Sequence, residues 1–146
     1  MGNTGNTILE LRLPSRLEAI AGLAEEVTAF LPDQPRVAFE INLCLDELLT
    51  NTISHGLGGA GDHFIDVRLE RSDAWLEVVI KDDAPAFDPF AEVGPPDLDT
   101  DLEQRPIGGL GVHFVRTLVD VVGVSHEGGG NRVTLRKRLA GHAPAG

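Results

Sequence analysis

Glu47 and Asn51 stand four residues apart in the run Asp46-Glu47-Leu48-Leu49-Thr50-Asn51-Thr52-Ile53-Ser54-His55-Gly56. On a helix that spacing projects both side chains from nearly one face, and His55 extends the polar row. A carboxylate and an amide oxygen so placed can hold Mg²⁺ with its waters, because Mg²⁺ takes hard oxygen ligands. The carboxylate can also orient or deprotonate an attacking hydroxyl. Taken alone, the pair equally fits a solvated helix face. Asp82, followed by Asp83, closes a strand-like run ending Ile80-Lys81. A carboxylate aimed from a strand end into a cleft can accept a hydrogen bond from an adenine amino group. A turn aspartate is the plainer alternative. Gly108-Gly109-Leu110-Gly111 precedes a helical pattern, so its backbone can come close to phosphate and offer free N–H donors. Alone, that run would also serve as a hinge.

These residues need elements to position them. Thr7 to Leu13 alternates as a half-buried strand stopped by Pro14. Ser15-Arg16-Leu17-Glu18 reads as a capping box for a helix running to about Phe30, with Leu17, Ile20, Leu23 (or Ala24) and Val27 on its apolar face. A second helix starts near Pro35 and buries Val37, Ile41, Leu45, Leu48 and Thr52 until Gly56 ends it. Phe64–Glu70 and Trp75–Lys81 form an antiparallel hairpin about Ser72-Asp73-Ala74. Ala84 to Ile107 has no periodicity. It carries five of the nine prolines, six acids and one base, Arg105, the composition of a lid or binding loop. A third helix spans Val112 to about Val119. A closing hairpin, Asp120–Ser125 with Asn131–Leu139, turns at Gly128-Gly129-Gly130. The order β-α-α-β-β-loop-α-β-β predicts an α/β two-layer sandwich, its sheet mixed but mostly antiparallel, with helices on one face.

The chain has 146 residues, 42% of them hydrophobic, which suits one domain over 1–139, and the small polar residues of 140–146 predict a disordered tail. Its net charge of -11 disfavours a nucleic-acid backbone or an anionic membrane as partner. Cys44 is the single cysteine, which excludes an intrachain disulfide and cysteine-rich zinc sites. The beginning has no basic stretch leading into a long apolar run, so a cytoplasmic location is expected.

With these motifs in order, the sequence resembles the GHKL (histidine-kinase-like) ATPase superfamily, and within it the anti-sigma factor serine/threonine-protein kinases. The resemblance runs from about Leu9 to Lys137 and rests on four boxes: Glu47-Leu48-Leu49-Thr50-Asn51; Asp82-Asp83-Ala84-Pro85-Ala86-Phe87-Asp88-Pro89; Gly108-Gly109-Leu110-Gly111; and Gly130-Asn131-Arg132-Val133-Thr134-Leu135-Arg136-Lys137. It implies the Bergerat fold, with ATP and Mg²⁺ as cofactors. Glu47 would be the general base and Asn51 the Mg²⁺ ligand. Asp82 would read adenine, with Thr134 backing it through water. Gly108, Gly109, Leu110 and Gly111 would cradle phosphate. Arg105, chosen for its place in the lid, would pair the γ-phosphate. Ala84 and Ala86 belong to the nucleotide-binding second box but stand where the family has glycines. Alanine resists φ > 0, so where the family's glycines use that region this loop must take another path.

The resemblance further implies a STAS-type anti-anti-sigma protein and a sigma factor as partners, and a homodimer. Two classes of function stay open. One is a kinase that phosphorylates serine or threonine on the STAS-type partner. The other is an ATP-gated protein-binding regulator without phosphoryl transfer, which the two alanines favour. A detached histidine-kinase catalytic domain is a third reading, separable because phosphohistidine is acid-labile.

Overall fold

The computed structural model describes residues 7–56, 63–83, 115–127 and 129–139, without the side chains at 55, 56 and 127. Its elements are β1 (Thr7–Pro14), α1 (Ala19–Phe30), α2 (Pro35–Asn51) running into a π-helical turn (Thr52–Gly56), β2 (Phe64–Arg71), β3 (Trp75–Asp82), β4 (Val121–Glu127) and β5 (Gly130–Arg138). Residues 115–118 are helical, the described end of the expected third helix. The strands form one sheet in the order β1-β2-β3-β5-β4. Each described pairing is antiparallel, so nothing parallel enters the sheet that was expected to be mixed but mostly antiparallel.

Alternation decides which side of the sheet meets the helices. Ile65, Val67 and Leu69 of β2, Leu76, Val78 and Ile80 of β3, and Val133 and Leu135 of β5 are buried in one cluster with Leu23 and Val27 of α1 and Ile41, Leu45 and Leu48 of α2. Burying that one face is the main stabilising contribution, at roughly 25 cal/mol per Å² of apolar surface. Pro35 begins α2, where its missing N–H costs nothing. The end of α1 is held by Arg71, which donates to the Phe30 carbonyl at 3.3 Å and to both Asp33 oxygens at 2.8 and 2.9 Å. The Arg71 hydrogen bonds bring the Asp33 carboxyl down to about 2.

Two local expectations change. Ser15 does not cap α1, which starts at Ala19 behind Glu18 with no side-chain cap. Ser15 is buried. Its N–H donates to the His63 carbonyl at 2.9 Å, and its hydroxyl accepts from the His63 N–H at 3.1 Å. A hydroxyl that satisfies a distant backbone is lost to the helix, and Leu17 accordingly stays half exposed. Ser15→Ala should therefore lower stability by about 1–2 kcal/mol in urea unfolding, the usual cost of orphaning a partly buried N–H. The second change is that the helix, which reaches Gly56 as expected, widens at Thr52 into the π turn directly after Asn51. Such turns re-aim the side chains beside them.

Among the described residues, no helix is long and apolar enough to cross a membrane.

Candidate functional site

α2 carries the first part of the site. The stripe Val37, Ile41, Leu45 and Leu48 locks the helix on the sheet, which fixes where Glu47 and Asn51 emerge. Both reach inward. Glu47 Oε2 and Asn51 Nδ2 are buried atoms with no hydrogen-bond partner among the described residues. A buried polar atom left unpaired costs ~1–3 kcal/mol, so two of them one helical turn apart mark a place built for something else. Burial, and then the charge of Asp46, pushes the Glu47 carboxyl above the usual carboxylate range. That is the direction a general base needs.

The second part sits at one end of the sheet, on the helix-facing side. Register places Asp82 of β3 opposite Asn131 of β5, and Asn131 opposite His126 of β4. The side chains follow the register. Asn131 Nδ2 donates to Asp82 Oδ1 at 2.9 Å, and His126 Nδ1 lies 2.6 Å from Asn131 Oδ1. Since that amide oxygen can only accept, Nδ1 must carry the proton. Asn131 is buried at 4% exposure, so it holds the Asp82 carboxylate from inside the fold. Gly130 permits the approach, because a Cβ there would run into the Asp82 carbonyl. Gly129, at φ 82°, makes the turn before it.

Thr134 is not brought to Asp82. It pairs with Val79, three residues along β3, and an odd offset turns a strand side chain to the other face. Asn131 occupies the position beside Asp82 that Thr134 was expected to back. Asp83 turns away and meets His63 Nδ1 at 2.9 Å. Ala84, Ala86, Arg105, Gly108, Gly109, Leu110 and Gly111, and with them the lid, lie outside the described residues.

Cys44 is fully buried, and burial pushes its thiol up to about 11, so it is no nucleophile. No cluster of three His, Cys, Asp or Glu among the described residues could hold a metal unaided. A depression of about 650 Å³ does exist, but it lies on the opposite face of the sheet. It is lined by Glu10, Arg12, Asp66, Arg68, Lys81 and Arg132, charges that partly neutralise one another.

The described residues thus hold two buried polar atoms one turn apart on α2 and, at a strand end on the helix-facing side of the sheet, an aspartate bonded to Asn131. Residues 13–137 match the model of the histidine kinase-like ATPase domain. The chain belongs to that family. Similar proteins include the serine-protein kinase RsbW of Listeria monocytogenes, 32% identical over 93 residues that cover 62% of this chain and 59% of the relative. The serine/threonine-protein kinase BtrW of Bordetella bronchiseptica is 29% identical over 72% of this chain and 73% of its own length. The fold also matches the crystal structure of the RsbU and RsbW domains of a Mycobacterium tuberculosis protein, with a TM-score of 0.63 at 16% identity. That match covers 91% of this chain and 32% of the other. Within this histidine kinase-like ATPase domain, the observation that sequence reasoning missed is the His126–Asn131–Asp82 chain. A signal for it was present: Asn131 shares strand parity with Val133 and Leu135, so it is a polar residue on an apolar face.

Proposed function

We propose that this protein binds ATP with Mg²⁺ and transfers the γ-phosphoryl group to a serine or threonine of a STAS-type anti-anti-sigma protein, releasing or holding a sigma factor according to the partner's state. The observation that carries the reading is the pair of buried atoms, Glu47 Oε2 and Asn51 Nδ2, on one face of α2, unpartnered among the described residues. An amide can turn either its oxygen or its nitrogen to the same place, so Asn51 fits a Mg²⁺ ligand that the nucleotide's own oxygens complete. The metal would supply charge neutralisation at the phosphates. Glu47 takes the proton of the acceptor hydroxyl. The acceptor oxygen bonds to γ-phosphorus as the bond to the bridging oxygen breaks, and ADP leaves. Asp82, kept in place by Asn131, accepts from the adenine amino group. The relatives named as serine or serine/threonine kinases support the same acceptor chemistry.

Titration with ATP and ADP, with and without Mg²⁺, tests the first step. Mg²⁺-ATP should raise the unfolding midpoint, by about 2.7 kcal/mol of stability at a hundred times its dissociation constant. Asn51→Ala should erase the Mg²⁺-dependent part of that gain. The second step is scored by acid-stable label on serine or threonine of a STAS-type protein. A wild type that binds ATP and a sigma factor yet labels nothing would instead be the ATP-gated regulator.

A further inference from the structure

Phe39, Leu43, Glu47 and Asn51 follow one another at intervals of four along α2, forming a single ridge. Exposure falls steadily along it. Phe39 is 64% exposed and Leu43 45%, Glu47 is half-buried, and Asn51 is down to 6%. Half of the ridge is apolar and open to solvent, and the other half is the candidate catalytic pair. Its flanks are already occupied. On one side Asn42 donates to the Ala24 carbonyl and to the Thr28 hydroxyl of α1, each at 3.3 Å. On the other, Glu40 holds Lys137 at 3.0 Å, and Lys137 also donates to the Leu118 carbonyl. Among the described residues, the fold leaves Phe39 and Leu43 uncovered. Two large apolar side chains one turn apart, left in water, stand out where helix surfaces are normally polar.

We propose that Phe39 and Leu43 are the docking contact for the phosphoacceptor protein, an inference that rests on the kinase reading above. A folded protein that brings a hydroxyl to the Glu47 carboxylate along α2 covers the turns that precede it on the same ridge. At 1.5 Å of rise per residue, Leu43 lies about 6 Å and Phe39 about 12 Å before Glu47 along the helix axis. The acceptor should accordingly present an apolar patch at those distances from its serine or threonine. A second copy of this chain is the poorer occupant. A stable interface buries about 800 Å² per partner, whereas an aromatic side chain supplies about 150–250 Å². A small apolar centre suits a substrate that must bind, react and leave.

The test uses the full chain and the STAS-domain proteins of the same genome, each purified and offered with Mg²⁺ and γ-labelled ATP. The double variant Phe39→Ser/Leu43→Ser should raise KM for the acceptor at least tenfold, with kcat, the ATP-induced thermal shift and the unfolding midpoint unchanged. Phe39→Leu/Leu43→Met should restore most of the affinity, because the contact is apolar rather than shape-specific. Equal labelling by wild type and double variant would overturn the docking site and leave the kinase reading intact. A wild type that labels none but binds one in the presence of a non-hydrolysable ATP analogue, with the double variant losing that binding, would sink the transfer step and keep the docking site. If it neither labels nor binds any, both fall. A change of mass from dimer to monomer in the double variant would assign the face to a second copy instead.

Discussion

Glu47→Gln should lower phosphoryl transfer by ~10²–10⁴-fold, the usual worth of a positioned general base, while leaving ATP affinity nearly unchanged. The same variant should unfold at a higher temperature than the wild type near neutral pH. Both effects come from one physical fact. Burial, reinforced by the charge of Asp46, raises the Glu47 pKa in the folded protein. A raised folded-state pKa means that the folded protein takes up the proton more readily than the unfolded chain. The contribution to stability is therefore complete below the ordinary carboxylate pKa of about 4.3 and is lost as pH rises through the higher folded value. Above that value the ionised carboxylate sits in the fold at a cost, which the neutral amide avoids. The stability gain of Glu47→Gln should thus shrink to nothing as pH falls below about 4. Wild-type transfer should fade over the same acidic limb, starting above the usual carboxylate range, and the residual rate of the variant should show no such limb. Melting curves and single-turnover rates across that range check both. A variant that is both inactive and less stable at neutral pH would instead mark Glu47 as a structural residue.

The parts of this picture that were legible in the sequence are those governed by periodicity. The stripe of α2 and the alternation of β2 and β3 were readable because one buried face leaves a repeat of about 3.6 or of 2 in the residue types. Pairing was less legible. Ser15 carries a proper capping signature with Glu18, yet its hydroxyl goes to His63, and no local rule reports a bond between residues 48 apart. The π turn after Asn51 is equally silent, since nothing in Thr52-Ile53-Ser54-His55-Gly56 distinguishes it from a fraying end. Thr134 holds its place in the motif but not on the face: Arg132, Thr134 and Arg136 alternate against the buried Val133 and Leu135. Strand geometry, applied to β5 before the motif, points to Asn131.

Asp82→Asn should weaken ATP binding at least tenfold in a protein that folds normally, if Asp82 reads adenine. The Asp82–Asn131 contact makes this substitution unusually clean. Asn131 Nδ2 donates to Asp82 Oδ1 at 2.9 Å, and an asparagine at 82 can keep its own oxygen there to accept the same bond. Its amide nitrogen must then occupy the place of the other carboxylate oxygen. A donor would face the adenine amino group, itself a donor, at a cost of ~1–3 kcal/mol. Asn131→Ala acts from the other side. It leaves the carboxylate intact but removes its anchor and strands the proton on His126 Nδ1, which lies 2.6 Å from the lost oxygen. Affinity should fall here as well, and unlike Asp82→Asn this variant should also lose stability, because Asn131 is buried and bonds on both sides. Asp83→Asn is the control. It breaks a surface pair with His63 worth about 0–1 kcal/mol and should leave ATP affinity alone. Isothermal titration with ATP and with inosine triphosphate, which carries no amino group on its base, separates the outcomes. Wild type should prefer ATP, Asp82→Asn should lose that preference, and a folded Asp82→Asn protein that still prefers ATP would remove Asp82 from the adenine site.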